Sequence, residues 1–243
     1  RAGLCIGKNV RRPPSAYNQR FDTVLFDLDG TLLDTAAGIT ASLQFALETH
    51  LGMAPDKPTL LDGIGTPLRP QLKYHAEKQL GETVLPSLIE SMAATFIEHN
   101  DLSHDESVKA FPGAKETLKI LSKGAVNVGL VTSKPHEMAV RGLALTDLLD
   151  FFQLILGADD VRFHKPHPEP VCRALKMLGA SPARTLFVGD SPWDLWAGRG
   201  MGVATGAALW GPFDKSRLHE ARPSYILENL GEIPALCDLV ENV

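Results

Sequence analysis

The first clear pattern along the chain is a short, wholly apolar run, Val24-Leu25-Phe26, closed by Asp27, then by Asp29 and at once by Gly30. So short a run of strand formers predicts a buried strand stopping at Asp27, with Gly30 letting the backbone turn off the sheet edge. The apolar spacing then changes from strand to helix. Ile39, Leu43, Ala46 and Leu47 recur at helical intervals as far as Leu51-Gly52, a second periodic stretch covers 67–80 and a third covers 85–99. These predict a helical insert over 35–108. After Pro112 the pattern alternates, with helices over 113–123, 135–145, 168–178 and 192–199 and strands over 126–131, 153–156, 185–188 and 203–208. A last short strand falls near 224–226. Such alternation implies a parallel sheet with right-handed crossovers. The expected fold class is α/β, a Rossmann-like parallel sheet core built from 21–34 and 109–243, with a small helical domain inserted over 35–108.

Composition narrows the picture. At 243 residues and 44% hydrophobic, the chain is long enough for one large or two small globular domains. A net charge of −5 and no extended basic run give no electrostatic reason to expect nucleic acid or an anionic membrane as partner. No apolar stretch reaches a spanning length. Cys5, Cys172 and Cys237 are odd in number, far apart and outside any C-x-x-C pair, so neither a disulfide framework nor a structural zinc site is expected, and a reducing cytoplasm is the default location. Residues 1–20 carry five Arg or Lys, Pro13-Pro14 and little apolar period, and read as an extended N-terminal arm without the apolar segment of a signal peptide.

The strand ends carry the chemistry, because ligands of open α/β sheets bind at the carboxyl edge. Asp27 and Asp29, set among Phe26, Leu28 and Leu32, repel each other unless a cation, a proton or donors offset them. Asp34 or Thr35 reads as the cap of the following helix. The strand 126–131 ends in Thr132-Ser133-Lys134-Pro135, two hydroxyls and N–H groups at a helix start suited to phosphate. His164-Lys165-Pro166-His167-Pro168 is a loop whose prolines fix the direction of Lys165. Leu186-Phe187-Val188 runs into Gly189-Asp190-Ser191-Pro192-Trp193-Asp194, two acids one helical turn apart. Four carboxylates and one lysine would repel a phosphate dianion, so a hard divalent cation is expected among them, and oxygen ligands point to Mg²⁺.

Phe26-Asp27-Leu28-Asp29-Gly30-Thr31-Leu32, Val131-Thr132-Ser133-Lys134, Lys165-Pro166-His167-Pro168 and Gly189-Asp190-x-x-x-Asp194 together resemble the four motifs of the haloacid dehalogenase-like hydrolases, over about 21–243. The insert is similar to that family's small helical cap, and the pattern is most similar to the phosphoglycolate phosphatase-like branch, with inorganic pyrophosphatases and sugar phosphomutases as alternatives. The resemblance implies Asp27 as nucleophile forming an aspartyl-phosphate and Asp29 as general acid, then base. It implies the Asp27 carboxylate, the Asp29 carbonyl, Asp190 and Asp194 around Mg²⁺, and Thr132, Ser133 and Lys165 at the phosphoryl oxygens. The expected partner is a small phosphorylated substrate, and the chain is expected as a monomer or homodimer.

In the insert, Leu61-Asp62-Gly63-Ile64-Gly65-Thr66-Pro67 reads either as a turn whose N–H groups contact the substrate's polar end or as a plain helix connection. Gly63, Gly65 and the neighbouring Arg69, able to pair with a carboxylate, are the candidate leaving-group contacts. Competing readings fit less well. A phosphoacceptor signalling module has no task for Asp29 or the insert. Gly198-Arg199-Gly200-Met201-Gly202 closes a helix rather than opening one, the reverse of a dinucleotide fingerprint. His164 and His167 read as loop residues rather than a metal pair.

Overall fold

The structure is a computed structural model and describes residues 21–61 and 63–239; the expected arm over 1–20, Cys5 and Asp62 lie outside the described residues. In chain order, β1 (Thr23–Phe26) and β2 (Leu33–Asp34) precede four helices, α1 (Ala36–Leu51), α2 (Lys57–Leu61), α3 (Leu68–Leu80) and α4 (Pro86–Ser107), which lead into β3 (Lys109–Ala110). Then α5 (Ala114–Lys123), β4 (Asn127–Val131), α6 (His136–Leu145), β5 (Leu154–Leu156) and α7 (Glu169–Leu178) alternate. They are followed by β6 (Thr185–Gly189), α8 (Pro192–Gly200), β7 (Ala204–Ala208), α9 (Lys215–Glu220), β8 (Tyr225–Leu227) and α10 (Ile233–Leu236). Among the described residues one parallel sheet has the order β5-β4-β1-β6-β7-β8. No helix of the described residues is long and apolar enough to cross a membrane.

Alternation along each strand splits the core in two, because successive side chains of a strand face opposite sides. Val24, Phe26, Val128, Leu130, Leu186 and Val188 point to one face and are covered by Leu118, Leu121, Ala139, Leu143 and Ile233 of α5, α6 and α10. Leu25, Val131 and Phe187 point to the other and meet Val171, Ala174, Leu175 and Ala197 of α7 and α8. The helices α1 to α4 bury a separate cluster of their own, with Leu43, Leu47, Leu60, Leu72 and Met92 at its centre.

The expected Rossmann-like α/β class is what the chain adopts, and the strands fall within a residue or two of their predicted positions. Departures sit where side-chain period is a weak signal. The helix expected over 85–99 continues to Ser107 through the polar stretch Asn100 to Ser107, tied down by Arg141 of α6 to Asp105 at 2.8 Å and by burial of His104. The five-residue α2 and the two-residue pair β2–β3 are too short to show any period.

The order places β1 between β4 and β6, with Phe26 level with both Leu130 and Val188. Chain direction across the sheet reverses at β1, so a crevice opens at its carboxyl end, the usual ligand site of such sheets.

Candidate active site

Asp27 leaves β1 into this crevice and is 2% exposed; Asp190, after β6, is 2% exposed, and Asp194, in the first turn of α8, is fully buried. One carboxylate oxygen from each lies within 4.8 Å of the others. The buried Lys165 enters from the loop before α7, its Nζ 2.8 Å from Asp27 Oδ1 and 2.6 Å from Asp194 Oδ1, while donating to the Val131 carbonyl at 3.3 Å. Three buried carboxylates thus share one ammonium. Burial pushes the Asp27 carboxyl up to about 7; the Lys165 ammonium opposes this, and the Asp194 charge adds to it. Asp190 is raised well above the ordinary aspartate range by burial, then by Asp27 and Asp194. Burial works against the Lys165 ammonium, but Asp194 and Asp27 outweigh it and hold the proton more firmly than usual.

Asp190 accepts from Thr31 Oγ1 at 3.0 Å, and Asp194 Oδ2 accepts from both the backbone and the hydroxyl of Ser191. With Oδ1 on Lys165 and Oδ2 on Ser191, Asp194 is the carboxylate most fully committed to protein donors. Gly30 has φ +84°, and a Cβ there would collide with the Asp190 carboxylate, so the turn after β1 needs glycine for conformation and for space alike. Trp210 braces this turn by donating to the Thr31 carbonyl at 2.9 Å.

Asp29 does not join the buried cluster. Its Oδ1 accepts from Lys134 Nζ at 2.8 Å and from Thr35 Oγ1 at 2.7 Å. This corrects the helix-cap reading: Thr35 is positioned before α1 but makes no capping hydrogen bond, and Asp34 lies exposed in β2. Lys134, quoted in the second motif without a role, is the donor that sequence reasoning missed; its place directly after Thr132-Ser133 at a strand end was the available signal. Ser191 was recoverable, a hydroxyl directly after Asp190; Thr31, whose partner Asp190 is 159 residues away, was not. Trp210 was not, being 179 residues from its partner.

A cavity of about 370 Å³ opens over Asp27, Asp29, Thr132, Ser133 and Lys134, between the sheet edge and helices α1, α3 and α4. Ile64 to Pro67 form part of its wall, with Gly63 outside the lining, and the N–H groups of Gly63, Ile64 and Thr66 are not free as expected but donate to the carbonyls of Leu60, Leu61 and Gly63. The turn's contact with the sheet edge runs the other way, the Ser133 hydroxyl donating to the Gly65 carbonyl at 2.7 Å. Gly65 has φ +91° and lies against Ser191 and Trp193, which leaves a side chain there both strained and crowded. Arg69 lines the cavity, yet its guanidinium already holds Glu90 through two 2.7 Å bonds. Arg69→Ala is therefore expected to lower kcat/KM for a carboxylate-bearing phosphoester and for a neutral one by the same factor, less than about threefold. A selective loss on the carboxylate-bearing ester, measured by phosphate release, would restore Arg69 as its contact.

The family model of the haloacid dehalogenase-like hydrolases matches residues 24–208. The chain belongs to that family. This bears out the resemblance read from the four motifs, and with it the expectation of an enzyme that hydrolyses phosphoric ester bonds. Curated relatives agree along nearly their whole length. Pyrophosphatase PpaX of Oceanobacillus iheyensis is 38% identical over 212 residues, 87% of this chain and 94% of that protein. Pyrophosphatase PpaX of Halalkalibacterium halodurans is 34% identical over 219 residues, 90% and 96% of the two. Among solved structures, a predicted phosphoglycolate phosphatase from Haemophilus somnus superposes with a TM-score of 0.79 at 24% identity, over 89% of this chain and 97% of its own, a likeness of fold.

Proposed function

We propose that this hydrolase is an Mg²⁺-dependent phosphatase that cleaves a small phosphomonoester through an aspartyl-phosphate on Asp27. The observation that carries this is the placement of Asp27 at once in the buried cluster, against Lys165, and on the floor of the cavity. The donor set fits a hard divalent cation: three buried carboxylates with ligand oxygens mutually within 4.8 Å and a single ammonium to offset them. Asp27 and Asp190 would hold the ion, with the Asp29 carbonyl as the family resemblance implies and Asp194 anchoring Lys165. Bound there, Mg²⁺ would supply the positive charge that lets an anionic phosphoryl group approach anionic oxygens.

The chain's own residues account for the remaining work. Lys165 favours the ionised form of Asp27 against the burial that raises its carboxyl, and fixes one of its oxygens, so that the carboxylate can attack phosphorus. Thr132, 6% exposed at the end of β4, stands beside Asp27 to hold a phosphoryl oxygen. Asp29 protonates the departing oxygen and later takes a proton from the water that hydrolyses the aspartyl-phosphate. Lys134 and Thr35 fix its carboxylate, and Thr35 stands where the chain passes from β2 into α1, so the aim of Asp29 depends on how the helical segment sits. We read residues 35–108 as a cap domain that closes over the crevice, with the Ser133–Gly65 hydrogen bond as one of its contacts to the core.

Asp29→Ala is expected to lower turnover by about 10²- to 10⁴-fold while still permitting slow phosphorylation of Asp27. Mass spectrometry of acid-quenched enzyme checks this; normal turnover would mean that another group carries the proton. The reading as a whole is tested by phosphate release from a panel of phosphoesters, with Mg²⁺ and then with excess chelator. Full activity in chelator would refute the metal requirement. A pyrophosphatase is the second reading, favoured by the names of the relatives above.

A further inference from the structure

The walls of the cavity above the phosphoryl site bear on what leaves. Ile39 of α1, Ile64 of the turn, Leu68 of α3, Phe96 and Ile97 of α4 and Met138 of α6 line it, an apolar surround contributed by both the helical segment and the core. The cations of the lining are already committed: Arg69 to Glu90 at 2.7 Å and Lys134 to Asp29 at 2.8 Å. Lys165 lies below, held by Asp27 and Asp194. The charged side chains that remain on the walls are acids. Asp101 meets Arg141 at a loose 3.5 Å, and Asp159 accepts from the backbone N–H of His136 at 2.7 Å.

A second anionic group on the substrate would therefore be set against hydrocarbon and carboxylate, and a lining cation would have to leave a carboxylate partner to meet it, an arrangement that disfavours binding. An uncharged apolar group loses nothing there and removes its own surface from water. Size points the same way: about 370 Å³ falls within the range of pockets that enclose a whole organic molecule, roughly 300–1,000 Å³, and far exceeds a phosphoryl group alone.

We propose that the leaving group is an uncharged, largely apolar alcohol, so that the substrate class is a phosphomonoester of an arylalkyl or branched alkyl alcohol rather than pyrophosphate or a carboxylate-bearing ester. This rests on the phosphatase reading above and narrows it. The chemistry balances as simple hydrolysis. The bond from phosphorus to the alcohol oxygen breaks as the Asp27 oxygen bonds to phosphorus, and the alkoxide takes the Asp29 proton. Water then displaces Asp27 from phosphorus and returns a proton to Asp29, releasing orthophosphate.

The test compares kcat/KM for benzyl phosphate, 2-phosphoglycolate and pyrophosphate with Mg²⁺ at about pH 8. Benzyl alkoxide is no better a leaving group than the alkoxide of glycolate, and phosphate is a better one than either, so intrinsic reactivity does not favour the predicted order. The expected result is a preference of about tenfold or more for benzyl phosphate over each of the others. Met138→Lys, which sets an ammonium on the apolar wall, is expected to shrink that preference by about tenfold. Asp27-dependent release that is fastest from phosphoglycolate or pyrophosphate, or equal on all three, would overturn the inference while leaving the phosphatase reading intact. Preference for benzyl phosphate that is unmoved in Met138→Lys would overturn the role given to this wall. Release from none of the three would overturn the phosphatase reading and the inference together.

Discussion

Asp27→Asn is expected to reduce phosphate release by a factor on the order of 10⁴ or more while leaving the fold intact. The amide has the shape of the carboxylate and can still accept from Lys165, so packing at the end of β1 is kept. It lacks the anionic oxygen needed to bond to phosphorus, and no aspartyl-phosphate can form. The same substitution removes one charge from a buried group of three carboxylates around one lysine. In chelator at about pH 8 the variant should therefore melt no lower than the wild type, because less like-charge repulsion remains. Phosphate release and a thermal melt on one preparation check both statements. Near-wild-type turnover would sink the nucleophile assignment, whereas loss of activity with a collapsed melt would show only misfolding.

Stability itself should report on the cluster. The Asp27 carboxyl is raised from an ordinary 3.8 to about 7, first by burial, and Asp190 moves in the same direction. A folded-state pKa above the unfolded one means the folded protein binds more protons, so this contribution is most favourable below about 4 and is lost as pH rises through about 7. For Asp27 alone a shift of that size corresponds to on the order of 4 kcal/mol. Metal-free protein is expected to melt roughly 5–10 °C lower at pH 8 than at pH 5.5. Mg²⁺ should recover most of this at pH 8 and little at pH 5.5, where the ion must displace protons from its ligands. Carboxylates outside the cluster such as Glu90, Asp105 and Glu169, lowered chiefly by their hydrogen-bond donors, act oppositely and only at lower pH, which separates the two effects. A melting temperature insensitive to both pH and Mg²⁺ over this range would refute the account of the cluster.

Much of the fold and of the site could be read directly from the chain. Buried parallel strands are short apolar runs cut off sharply by polar residues, as at Val24 to Phe26 before Asp27 and Leu186 to Val188 before Gly189 and Asp190. Their ends were accordingly placed to within a residue or two, and the acids that follow them emerge along one sheet edge. Lys165, followed at once by Pro166 and then by Pro168, was legible for the same local reason. Where the pattern is short or polar, it carried no signal: α2, the pair β2–β3, and the last eight residues of α4, whose helicity comes from packing and from Arg141 rather than from an apolar period.

The sequence by itself determined the α/β class, the order of the strand ends and the residue types at each, because these follow from side-chain period and local backbone preference. Only the tertiary structure decided what each charged side chain meets. Arg69 pairs with Glu90 across two helices, Asp29 with Lys134 across 105 residues, and Ser133 with the Gly65 carbonyl rather than with open space. Such choices depend on ångström-scale distances between elements far apart in the chain, and period carries no record of those distances. The cavity is decided in the same way: Ile39, Phe96 and Met138 each look like ordinary helix-core residues, and only the packing of α1, α4 and α6 over the sheet edge turns them into a wall above Asp27.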